Sequence, residues 1–184
     1  MTRTALLVMD VQAGIVGRIA DVTYLDRLTP AVAAARAVGV PVVYVVVGFR
    51  PGHPEISANN KSFGALASGV FTPDDPTAAI HEAVAPRPGE VIVTKKRVSA
   101  FAGSDLELVL RAQGVGHLVL TGIATSGVVL STLRQAADLD YRLTVLEDAC
   151  ADADPEVHRV LTTKVFPRQA EVTSVADWVA GLSS

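Results

Sequence analysis

Short apolar runs bounded by turn-forming residues recur along the chain, and most are separated by amphipathic stretches. That rhythm constrains the fold more than any single motif does. A strand, a helix and a second strand build a βαβ unit and hence a parallel sheet, whereas hairpins need neighbouring strands joined by only a few residues. The runs predict six strands, over 5–9, 40–47, 91–94, 117–121, 142–146 and 171–173, and helices over 24–38, 106–113, 127–139, 155–164 and 175–182. In the first helix Leu25, Leu28, Val32 and Ala35 recur at helical spacing, and Gly39 stops it as a residue past the C-cap should. Gly114 ends the second helix in the same way. Ser104 with Glu107 three residues later reads as a capping box, and Asp154 as an N-cap before Pro155. A composition that is 49% hydrophobic but only 5% aromatic, rich in Ala, Val and Leu, suits parallel strands buried on both faces. The expected architecture is a single α/β domain over 1–184, a three-layer α/β/α, Rossmann-like fold around a six-stranded parallel sheet. Such sheets bind ligands at the carboxyl ends of their strands.

Charge and cysteine content narrow the setting. The 16 basic and 19 acidic residues give a net charge of -3 with no run of like sign, which argues against a surface that tracks nucleic-acid phosphates. No apolar stretch approaches the roughly 18 residues of a membrane-spanning helix. The apolar run before Asp10 is too short for a secretory leader, and the one cysteine, Cys150, cannot form an intramolecular disulfide, so a reducing cytoplasm is expected. The segment 48–76 carries Gly, Pro, Asn and Ser without sustained periodicity, and a loop that long is expected to form a wall or lid over a site.

Strand ends hold the candidate chemistry. Asp10 and Gln12 follow the first strand, Lys95, Lys96 and Arg97 the third, and the turn Gly122-Ile123-Ala124-Thr125-Ser126-Gly127 the fourth. An Asp beside a Lys at such a position fits either an acid–base couple or a buried ion pair. A turn leading into a helix offers N–H groups to an oxyanion, and it also serves as an ordinary connector.

Together these pieces resemble the isochorismatase-like, or cysteine hydrolase, superfamily of isochorismatases, nicotinamidases and N-carbamoylsarcosine amidases. The matching residues are Asp10-Val11-Gln12, Lys95-Lys96-Arg97-Val98-Ser99-Ala100-Phe101, the 122–127 turn and Glu147-Asp148-Ala149-Cys150. The resemblance implies a six-stranded parallel sheet, assembly as a homodimer or higher homo-oligomer, and an Asp, Lys and Cys triad. The Asp carries over to Asp10 as proton carrier and the Lys to Lys95, with Lys96 on the opposite face if the strand continues. Gln12 is the implied support. A non-proline cis peptide is implied between Ile123 and Ala124, within an oxyanion turn formed by Ile123, Ala124, Thr125, Ser126 and Gly127. The sequence departs from the pattern at the nucleophile, where the family's Cys position is occupied by Val128. Valine forms no thioester, and Cys150 belongs to a different segment, so it is expected to be a buried, inert thiol.

No cofactor and no metal are expected. His53 alone occupies the loop where the nicotinamidase subgroup supplies its metal ligands, and His81, His117 and His158 lack ligand spacing. Isochorismatases also lack the Cys, and they protonate an enol carbon before water attacks the oxocarbenium ion. They carry Gly where Val128 stands, however, and His where Ser126 stands. The leading expectation is a hydrolase that acts on a C–O ether or related bond of a small organic substrate through Asp10 and Lys95, without a covalent intermediate. Arg50, Arg97 or Lys61 would hold a substrate carboxylate, and Phe49, Phe63, Phe71 and Phe101 would shape the pocket. The rivals are a catalytically silent relative that binds a small molecule or partner, and an amidohydrolase using Ser126 or Thr125.

Overall fold

A computed structural model describes residues 3–182 of the chain. The leader reading rests partly on Met1 and Thr2, which lie outside the described residues. Strands β1 (Arg3–Met9), β2 (Val42–Val47), β3 (Val91–Lys95), β4 (Val115–Ile123), β5 (Arg142–Ala151) and β6 (Glu171–Thr173) form one sheet. All pairings are parallel, in the order β3-β2-β1-β4-β5-β6. Helices are α1 (Ala13–Val16), α2 (Tyr24–Ala37), α3 (Leu106–Ala112), α4 (Leu130–Asp138), α5 (Pro155–Val160) and α6 (Val175–Leu182). None of the described helices is long and apolar enough to cross a membrane.

Strand alternation sorts the core into two layers. Leu6 and Val8 of β1 pack with Tyr24, Leu28 and Val32 of α2 and with Val175 of α6. Ala5, Leu7 and Met9 point the other way, against Leu106 and Leu110 of α3 and Leu133 and Ala136 of α4. A central strand covered on both faces must be apolar throughout, which is why β1 reads as a continuous hydrophobic run.

Several boundaries differ from expectation. Helix α2 ends as read: Gly39 has φ 73°, its N–H donates to Arg36 O, and the Val40 N–H donates to Ala35 O. The Asp154 cap also forms, its carboxylate accepting from the N–H groups of Glu156 and Val157. The capping box at α3 does not form. Asp105 occupies the cap position, Ser104 Oγ accepts from the Leu106 N–H and donates to Ala100 O, and Glu107 faces Arg111 at 3.7 Å. The helix expected from 127 begins instead with a widened turn, Thr125–Val129, because Gly127 has a non-helical backbone (φ -97°, ψ -105°). Strand β5 continues past its expected end at 146. A register irregularity against β4 absorbs the polar Glu147 and Asp148, after which Cys150 pairs with Gly122 and Ala151 with Ile123.

β1 runs outward through β2 to β3, whereas β4 starts on the other side of β1 and leads to β5 and β6. Connections leaving β1 and β4 therefore diverge, opening a crevice at their carboxyl ends. The 48–76 segment closes one side of it. It is packed rather than loose, with Phe49 and Phe71 forming a small core with Val47, Ile56, Phe63 and Leu66.

Candidate active site

The crevice is a cavity of about 530 Å³, with Asp10, Lys95 and Val128 among its lining residues. Asp10 follows the last residue of β1 and has φ 56°, a left-handed conformation that Asp tolerates better than most residues. Its N–H still donates to Val45 O at 2.8 Å, so the strand stays paired while the side chain turns into the crevice. Lys95 ends β3, which is separated from β1 by β2. Its long stem crosses the end of β2 to put Nζ 2.9 Å from Asp10 Oδ2, and Nζ also donates to Arg97 O at 3.0 Å. Both residues are buried, at 6% and 1% exposure. Desolvation pushes the Asp10 carboxyl from 3.8 up to about 6, with the Lys95 charge pulling the other way. Asp10 Oδ1 has no hydrogen-bond partner among the described residues. A proton carried there is free to be transferred to a ligand.

Gln12 is fully buried behind this pair. Its Oε1 accepts from the Val47 N–H at 2.9 Å, and its Nε2 donates to Val47 O and Ala78 O at 3.0 and 2.7 Å. It thus joins the end of β2 to the returning loop. Lys96 points away, donating to Gly48 O.

On the β4 side the Ile123–Ala124 peptide is cis. The turn N–H groups are less free than the sequence suggests, which corrects the oxyanion expectation for Ser126 and Gly127. The Ser126 N–H donates to Asp152 Oδ2 at 2.7 Å and the Gly127 N–H to Ala124 O at 3.0 Å. The continued β5 brings Asp152 into this position. Thr125 is fully buried, and its hydroxyl pairs with His158 Nδ1 at 2.8 Å. Ser126 lines the cavity and Thr125 does not. Cys150 is buried in β5, outside the cavity lining, and burial pushes its thiol well above the ordinary range.

Other expected substrate contacts lie elsewhere. Arg50 pairs with Glu55 at 2.7 Å on the surface, and Arg97 donates to Lys96 O and Glu55 O. Phe101 packs against Tyr141 with ring centroids 6.0 Å apart, in the core beside α3. Phe49 backs the wall by stacking edge-on against Phe63, whereas Phe63 and Phe71 do face the cavity. His53 packs against Phe49 and its Nε2 pairs with Val70 O at 2.9 Å. Sequence reasoning missed Ile15, Arg18, Ser62, Leu66, Val98 and Ser131 in the lining. Ser131 was findable, since it lies three residues after Val128 and so on the same helical face.

Comparison with known proteins adds a family to this geometry. The model of the isochorismatase domain matches residues 4–177. Ureidoacrylate amidohydrolase RutB of Methylobacterium radiotolerans is 36% identical over 86% of this chain and 67% of its own length. The uncharacterized isochorismatase family protein YecD of Escherichia coli O157:H7 is 34% identical over 95% of this chain and 93% of its own. Among solved structures, an isochorismatase family protein from Burkholderia thailandensis superposes with a TM-score of 0.78 at 30% identity, covering 98% of this chain and 96% of that one.

Proposed function

This chain belongs to the isochorismatase family, and from that premise we propose that it hydrolyses a small organic substrate by direct attack of water, with Asp10 as proton carrier and no enzyme-bound intermediate. The observation that carries this reading is the Asp10–Lys95 pair, 2.9 Å apart, in a cavity that Val128 also lines; the reading takes Val128 to stand at the family's nucleophile position. Valine cannot attack a carbonyl, so the chemistry falls to a group that moves protons. A carboxyl raised to about 6 holds a useful fraction of both forms near neutral pH.

An enol ether suits these parts. Protonated Asp10 gives its proton to the enol carbon, water adds to the resulting oxocarbenium ion, and the hemiketal collapses to a ketone and an alcohol. The proton released by the added water returns to Asp10, which Lys95 keeps oriented. The second reading is an amide bond, favoured because RutB is named as an amidohydrolase. In this chain ionised Asp10 would then deprotonate the attacking water and afterwards protonate the leaving nitrogen.

The test is turnover of an enol ether, ester and amide panel, with Asp10→Asn beside the wild type. Asp10→Asn should lower kcat at least about 100-fold, the usual worth of general acid–base catalysis. Full activity in that variant sinks the mechanism, and no turnover by the wild type across the panel favours a binding role instead. A trapped acyl adduct on Ser126 would replace water attack with covalent catalysis.

A further inference from the structure

Three charged side chains line the cavity: Asp10, Lys95 and Arg18. With Asp10 ionised the first two pair at 2.9 Å, leaving Arg18 as the lining charge without a direct partner. Arg18 stands on the turn just past α1, where its own N–H donates to Ile15 O at 3.0 Å, and Ile15 shares the lining. Its side chain is exposed, and its guanidinium makes no hydrogen bond and no ion pair within 4.0 Å among the described residues. The carboxylate that senses its charge, Asp75, already accepts from the Phe71 and Thr77 N–H groups.

Neighbouring cations are differently placed. Arg50 is spent on Glu55, Arg97 on two backbone carbonyls, Lys96 on Gly48 O, and Arg27 on Asp21 and Asp148 O, while Lys61 is exposed beside Ser62 but is not itself among the lining residues. A guanidinium presents paired donors matched to a carboxylate, and keeping it unpaired at the mouth of a largely apolar cavity fits recognition better than stability. Ser62, Ser126 and Ser131 add hydroxyls, while Phe63, Leu66, Phe71 and Val98 add apolar walls.

We propose that Arg18 is the substrate-anchoring residue, and that the substrate is a ring-sized organic molecule bearing one carboxylate. The carboxylate pairs with Arg18 at the mouth, and the bond to be broken points toward Asp10. This rests on the hydrolase reading for its second half only, because the anchoring itself is a matter of binding.

Benzoate and its neutral counterpart benzamide are the probes, measured by titration calorimetry on wild type, Arg18→Gln and Arg18→Lys. Wild type should prefer benzoate. Arg18→Gln should weaken benzoate at least about tenfold, the worth of one charge-assisted contact, and leave benzamide unchanged. Arg18→Lys should recover part of the loss, since it restores charge without the fork. Equal benzoate affinity in wild type and Arg18→Gln overturns the proposal, as does a wild type indifferent between the two probes. These measurements need no turnover, so failure of the hydrolysis panel would leave them standing. For any carboxylate substrate that is turned over, Arg18→Gln should raise KM with kcat nearly intact, and a loss confined to kcat contradicts anchoring.

Discussion

Replacing Lys95 with Met removes the ammonium while keeping most of the apolar stem. In the native protein that ammonium is 2.9 Å from Asp10 Oδ2, on a side chain only 2% exposed. Burial holds the Asp10 carboxyl at about 6 even with Lys95 opposing it, so the Lys95→Met variant raises it further. A carboxyl whose folded pKa exceeds its unfolded value keeps a proton that the unfolded chain has released. Wild-type stability therefore falls as pH rises from the ordinary carboxyl value of 3.8 to about 6, at about 1.4 kcal/mol per pH unit. In the variant the fall continues above that point until the carboxyl ionises, so between about pH 6 and pH 8 it should lose up to roughly 3 kcal/mol relative to wild type. Below about pH 5 Asp10 is protonated in both folded proteins, so the gap between them should no longer change with pH. Urea unfolding followed by Trp178 fluorescence across this range measures the gap, with other titrating groups cancelling between the two proteins. A gap that stays constant with pH refutes the claim that Lys95 holds Asp10 ionised.

Two further substitutions probe the turn after β4. Val128→Cys should place a thiol in the lining of the Asp10 cavity, so iodoacetamide should label the variant under native conditions faster than wild type, whose Cys150 thiol is raised by burial; equal rates would show that position 128 is shielded from the cavity. Gly122→Ala should destabilise the fold by about 3 kcal/mol or more, because Gly122 has φ 142° and an added Cβ would lie 2.2 Å from Met9 O; unchanged thermal unfolding would mean that β1 and β4 separate there at little cost.

Most of the sheet was legible because parallel strands buried on both faces leave unbroken apolar runs, and because a helix end such as Gly39 announces itself by a local conformational need. Polar residues hid the rest. The second half of β5 contains Glu147 and Asp148, and its pairing with β4 is set by register rather than by hydrophobicity. Its continuation delivers Asp152 to the Ser126 N–H, a contact between residues 26 positions apart. Ser104 and Glu107 had the right spacing for a capping box, but Ser104 is drawn to Ala100 O and the helix starts one residue later than the motif suggests.

The sequence by itself determined the layered α/β architecture, the strand ends that carry the candidate residues, and the absence of a thiol at position 128. Those properties depend on local periodicity and residue identity. Only the tertiary structure decided which long side chains face the cavity. Lys95 reaches Asp10 because β3 and β1 flank a single strand, Arg97 is claimed by carbonyls and Arg50 by Glu55, and Phe101 is taken into the core by Tyr141. Arg18 emerges as the lining cation without a direct partner because Arg50, Arg97 and Lys96 are held elsewhere by the groups the fold sets beside them. The tip of a flexible charged side chain goes where its partner lies, and no spacing along the chain encodes that.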